Sequence, residues 1–103
     1  MEVPTSGSVI VTVEFKAKHG QKGRLDDFLR SLADASRAED GCEAYFVLES
    51  QGRKGRHLLF MKWRDQKAYE AHMRTPLVKA LDGHLPLEVL SEPYALTRWR
   101  HLG

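Results

Sequence analysis

Cys42 is the only cysteine in this 103-residue chain. No internal disulfide can form, and a reducing cytoplasm is the expected compartment. No apolar run approaches the ~20 residues that a membrane helix needs. Met1 to Gly7 also lack a basic stretch leading into an apolar core, so neither a membrane span nor a secretion signal is expected. Excess charge of one sign is missing too: the net charge is +2, with acidic and basic residues interleaved. That gives no electrostatic case for a nucleic acid or a lipid surface as partner. Gly20, Gly23, Gly52 and Gly55 mark turns rather than a phosphate-cradling loop, so flavin or nicotinamide binding has no support. No Gly-x-Ser-x-Gly or comparable nucleophile motif occurs. His19, His57, His84 and His101 stand at turns or element ends without metal-ligand spacing, and no cofactor or metal site is expected.

What the chain does have is the make-up of one soluble domain. A hydrophobic fraction of 42% and a charged fraction of 29% suit a single core. Residues 1–7, with Pro, Ser and Gly, read as a loose arm and 8–103 as the domain. From Ser8 to Lys18 the residues alternate, with Val9, Val11, Val13 and Phe15 on one side, which predicts a strand. Leu25, Phe28, Leu29, Leu32, Ala33 and Ser36 fall at helical spacing, and Gly41 offers a left-handed stop. Cys42 to Ser50 predicts a second strand, with Cys42, Ala44, Phe46 and Leu48 facing one way and Glu43, Tyr45, Val47 and Glu49 the other.

His57 to Arg64 is apolar on both faces, as a central strand should be. Asp65 is placed to cap a helix that runs to about Arg74, with Ala68, Tyr69, His72 and Met73 inward. Thr75-Pro76 opens a further helical segment with Leu77, Val78 and Leu81 on its apolar side, ending at Gly83. His84 to Pro93, with two prolines, reads as a loop, and Tyr94 to His101 as a final strand.

The order is βαββαβ, an α+β fold of ferredoxin-like type: a four-stranded antiparallel sheet with its helices on one face. The other face keeps large apolar side chains, Leu58 and Phe60 or Phe46 and Leu48, whichever parity holds. Each one left in water forgoes about 1.5–3 kcal/mol. A homodimer with sheets packed face to face is therefore expected.

With these elements in place, the chain resembles the antibiotic biosynthesis monooxygenase-like domains of the dimeric α+β barrel superfamily. The resemblance runs from Val9 to about Trp99. It is carried by Val9-Ile10-Val11-Thr12-Val13, by Gly20 ahead of Phe28, and by Ala35-Ser36-Arg37-Ala38-Glu39-Asp40-Gly41-Cys42. Most specific is Trp63-Arg64-Asp65-Gln66-Lys67-Ala68-Tyr69-Glu70-Ala71-His72 with Thr75-Pro76 after it. The family includes cofactor-free oxygenases of quinols and polyphenols, haem-degrading enzymes, and domains without assigned activity. Two positions depart from it: Met61 stands where many members have Glu, and Leu77 where many have His. The haem-degrading branch uses an Asn in the first strand, and this chain has no Asn at all. RNA-binding relatives of the fold carry basic, aromatic third strands, unlike His57-Leu58-Leu59-Phe60-Met61-Lys62-Trp63.

The resemblance implies a cofactor-independent monooxygenase for a small aromatic or quinol-like substrate, or a non-catalytic binding protein with the same pocket. In the first case His72 is the general base, Trp63 a pocket wall, and Tyr69 or Tyr45 an orienting donor, with Met61, Leu77 and Met73 completing the substrate surface. The bland alternative for His72 is a partly buried imidazole bonded to backbone, and for Trp63 plain core packing.

Overall fold

The computed structural model describes residues 7–103, so the arm expected over residues 1–7 falls almost wholly outside the described residues. The chain forms β1 (Val9–Lys16), α1 (Lys22–Arg37), β2 (Cys42–Glu49), β3 (Arg56–Trp63), α2 (Gln66–Met73), α3 (Pro76–Lys79) with a 3-10 turn after it, α4 (His84–Val89) and β4 (Ala95–Trp99). The four strands make one antiparallel sheet in the order β2-β3-β1-β4. β1 and β3 are thus central: β3 is apolar on both faces, as an inner strand should be, and the four core-facing residues of β1 are all buried.

The register explains the core. Val9 pairs with Trp63, Val11 with Met61 and Val13 with Leu59, so the odd-numbered residues of both strands point to the helix layer. There Leu25, Leu29, Leu32, Ala33 and Ser36 of α1 cover them, and all are buried. The periods of 2 and 3.6 written in the sequence meet in one apolar layer. Phe28, at the edge of the helical stripe, is only half-buried.

Gly23, expected in a turn, lies in the first turn of α1, and two larger features differ from the sequence reading. In β2, Cys42 pairs with Trp63 but Ala44 with Lys62, so Glu43 is an extra residue in the strand. This bulge inverts the alternation at one point. Cys42 therefore packs against the same core as Tyr45 rather than sharing a face with Phe46 and Leu48. Further on, residues 84–89 are helical, not a loop. Pro86 lies in the first turn of α4, where an N–H has no intrahelical acceptor to lose. Val89 and Leu90 are buried, and a short bridge from Leu90 to Ala17 fastens the segment beside β1.

The sheet's other face has no helix on it among the described residues. Phe46 and Phe60 stack there with ring centroids 6.1 Å apart, and Phe46, Leu48 and Trp99 stay about half exposed. Trp99 reaches across to donate its indole N–H to Thr12 Oγ1 at 2.7 Å. Among the described residues, no helix is long and apolar enough to cross a membrane.

Candidate active site

The site begins at the N-terminus of α2. Asp65, in extended conformation, accepts a hydrogen bond from the Ala68 amide at 2.8 Å and so caps the helix. The cap sets the helical phase that turns Ala68 and His72, one turn apart, onto the sheet. His72 is only 1% exposed. Its imidazole lies against the Trp63 indole, centroids 4.5 Å apart, and meets the Tyr45 ring edge-on at 5.4 Å.

Both imidazole nitrogens are engaged. Nδ1 stands 3.2 Å from each oxygen of Glu39, and Nε2 stands 3.4 Å from the Tyr45 hydroxyl. The carboxylate can only accept, so Nδ1–H donates to Glu39 and the neutral ring keeps its lone pair on Nε2. The Tyr45 O–H points at that lone pair, but at a length that makes the bond weak. Burial holds His72 below the usual imidazole range, while the Glu39 hydrogen bond and charge pull the other way. Burial pushes the Tyr45 phenol well above its ordinary value, so it stays a donor.

Glu39 is the residue that the sequence reading missed. It lies in the turn after α1, 33 positions before His72, and nothing in local periodicity links the two. The link is made by Gly41. With φ at +84° it turns the chain as other residues rarely do. A Cβ there would lie 2.5 Å from that of Ala68. The backbone of this corner thus sits directly against α2, and the Arg64 amide donates to the Gly41 carbonyl at 2.8 Å.

A small cavity of about 30 Å³ opens beside His72. Tyr45, Met61, Tyr69, His72 and Met73, all expected from the sequence, line it together. Two expected residues do not. Trp63 is fully buried behind His72 and braces the imidazole instead of walling the cavity; its indole N–H finds no acceptor among the described residues. Leu77 faces the core beside it, and Val78 and Leu81, one and four residues further on, take the lining position. The helical phase set at Pro76 decides between them. The sequence reading also missed Leu96, Asp82 and Tyr94, which close the far side. Tyr94 donates to Asp82 at 2.8 Å. Tyr69 lies under the Arg98 guanidinium, 5.8 Å from its ring centroid. The backbone-bonded alternative for His72 is set aside by the Glu39 and Tyr45 contacts. Chemically, the site pairs a neutral buried base and its carboxylate with an apolar, aromatic-rimmed hollow.

The antibiotic biosynthesis monooxygenase family model matches residues 8–83, from β1 through the helices that carry the cavity. No curated protein sequence matches the chain. Among solved structures, Rv0793 from Mycobacterium tuberculosis is 27% identical, covering 93% of this chain and 96% of its own, with a TM-score of 0.84. A candidate antibiotic biosynthesis monooxygenase from Deinococcus radiodurans is 28% identical, with coverage of 92% and 93% and a TM-score of 0.80. PA3566 from Pseudomonas aeruginosa, at 23% identity, shares the fold over 95% of this chain and 97% of its own, with a TM-score of 0.85. By the match over most of its length, this chain belongs to the antibiotic biosynthesis monooxygenase family.

Proposed function

We propose that the protein is a cofactor-independent monooxygenase that oxidises a small aromatic, quinol-type molecule with O₂, and that it works as a homodimer in the cytoplasm. The observation that carries this reading is the Glu39–His72–Tyr45 array at the wall of an apolar cavity. A phenolic substrate that displaces the weak Tyr45 contact hands its proton to His72 Nε2. Glu39 then stabilises the imidazolium through the Nδ1 hydrogen bond. The phenolate is electron-rich enough to reduce O₂ by one electron. Recombination of the two radicals forms a carbon–oxygen bond, and loss of water leaves a quinone. One oxygen atom enters the product and the other leaves as water, with the substrate supplying both electrons. Tyr45, released from Nε2, is free to donate to a substrate oxygen, and Tyr69 at the rim can do the same.

The cavity of about 30 Å³ is well below the ~150 Å³ that accommodates benzene in an engineered apolar site. Binding therefore requires the rim, Tyr69, Met73 and Tyr94, to swing outward; Met73 is already exposed. Dimerisation is supported by the apolar open face with Phe46, Leu48, Phe60 and Trp99. A second reading, a binding protein without catalysis, is favoured by Met61 in the lining and by the Tyr45 O–H directed at the would-be base. Oxygen-electrode assays with a panel of quinols and anthrone-like phenols, run beside binding titrations, separate the two. Saturable O₂ uptake at one equivalent per substrate supports the oxygenase; tight binding of a ligand that is never oxidised supports the binder.

A further inference from the structure

At the opposite end of β3, a second cluster lies under α1. His57 from β3, Asp26 from α1 and Glu49 from the end of β2 place one ligand atom each within 4.8 Å of one another. Trp63, behind the oxygenase base, is six residues along the strand from His57, or about 20 Å at 3.3 Å per residue. No metal-ligand spacing is visible along the chain because Asp26 and His57 are 31 positions apart and meet only in the fold.

The imidazole of His57 is almost fully buried, with its Nε2 hydrogen-bonded to Asp26. Its other nitrogen, Nδ1, is buried with no partner among the described residues. The ring's one polar attachment is thus the cluster itself. A cation already sits there: the Lys22 ammonium is 2.7 Å from Asp26 and 3.4 Å from Glu49. Lys22 is part-exposed, with a path to solvent on one side. Beside the cluster lies an open cavity of about 510 Å³, lined in part by Arg30, Arg37 and Val47.

We propose that Asp26, Glu49 and His57 form a binding site for a divalent Zn²⁺-type ion, for which the Lys22 ammonium is the resident competitor. The donor set is one imidazole and two carboxylates, which suits Zn²⁺ or Co²⁺ and whose two negative charges match the ion's charge. Tetrahedral bonds of about 2.0–2.1 Å put ligand atoms about 3.3 Å apart. Asp26 and His57, already in hydrogen-bond contact, open slightly to reach that spacing, while Glu49 closes by at most about 1.5 Å, within one rotamer adjustment. Ligation through Nε2 displaces the proton now donated to Asp26 and moves it to Nδ1. There the buried N–H has no acceptor among the described residues, a cost that sets the site's affinity below that of a fully braced imidazole. The adjoining cavity keeps a fourth position open to water.

The test is titration of tag-free protein with Co²⁺, read by its visible d–d bands, and with Zn²⁺ by calorimetry. Expected are one equivalent bound, at least about tenfold weaker binding in Glu49→Gln and Asp26→Asn, and tighter binding in Lys22→Met. His57→Gln risks misfolding because the ring is buried; Glu49→Gln, on the strand's exposed end, keeps the test decisive. No saturable uptake by the wild type and by Lys22→Met overturns the proposal. So does affinity unchanged in Glu49→Gln, or a thiolate-to-cobalt band that assigns the ion to Cys42.

Discussion

The His72 imidazole rests on the Trp63 indole at 4.5 Å, with ring planes 31° apart, while Glu39 and Tyr45 hold its two nitrogens. A side chain held on three sides has little rotational freedom left to lose.

That arrangement makes His72 the first residue to alter. His72→Ala should lower the rate of O₂ uptake with a turned-over quinol by about 10²–10⁴. Ligand affinity should change far less, because the proton moves only on the way to the transition state. His101→Ala, exposed near the C-terminus, should leave the rate unaltered. Circular dichroism shows first that the variant is folded. A folded His72→Ala enzyme with full rate would assign the base elsewhere.

Glu39→Gln tests the partner. Burial lowers the His72 pKa and Glu39 raises it, so removing the carboxylate should lower it further. In the proposed mechanism the neutral imidazole is the active form, so activity should be lost as pH falls through its pKa. The acid limb of kcat/KM should therefore move to lower pH in Glu39→Gln, while the plateau falls by about tenfold or more as the imidazolium loses its counter-charge. Stability follows the same sign. A folded pKa below the unfolded value of about 6.5 means the unfolded chain takes up the proton first. His72 thus costs stability as pH falls below about 6.5, and His72→Gln should flatten that part of the urea-midpoint profile. Losses from Asp26, Asp40 and Asp65, whose pKa values are also lowered, belong to a more acidic window. An acid limb that does not move in Glu39→Gln would remove Glu39 from the mechanism.

Gly41→Ala should destabilise by about 2–4 kcal/mol, combining a left-handed backbone at a non-glycine residue with crowding against Ala68. Because the same corner carries Glu39, the variant should also show the shifted acid limb at temperatures where it stays folded. Chemical denaturation and the pH profile together check both halves.

How much of this could be read before the fold was known depends on how far apart the cooperating residues lie. The alternation in β1 and β3 and the helical stripe of α1 are local patterns, so the sheet, its helix face and the capped α2 were legible. His72, Tyr69 and Met73 followed from that phase. The bulge at Glu43 was not legible, because one inserted residue leaves no mark on composition yet moves Cys42 across the sheet. Helix α4 was hidden by Pro86, since proline usually breaks a helix but is harmless in a first turn, and by Pro93, which lies beyond its end. Glu39 and Asp26 stayed out of sight for a plainer reason: their partners are more than thirty residues away and no period connects them. Trp63 was expected as a pocket wall and is not one, because whether an aromatic side chain walls a cavity or braces its neighbour is a matter of depth that sequence does not encode.

The open face gives a prediction about assembly. Sedimentation of the wild type at micromolar concentration should give a dimer. Phe46→Glu and Phe60→Glu, which put charge into the stacked pair, should each shift it toward monomer. A wild type that sediments as a monomer would refute face-to-face packing.

The chain has two tryptophans, and the fold gives them opposite surroundings. Trp63 is sealed in the core against an imidazole, whereas Trp99 is 55% exposed on the open face. The protein consequently carries two native optical probes. Emission from the buried Trp63 should be quenched when His72 gains a proton, while emission from the exposed Trp99 should yield to iodide for as long as the open face is uncovered. One fluorescence spectrum can thus report the protonation of His72 and the covering of the open face without a label.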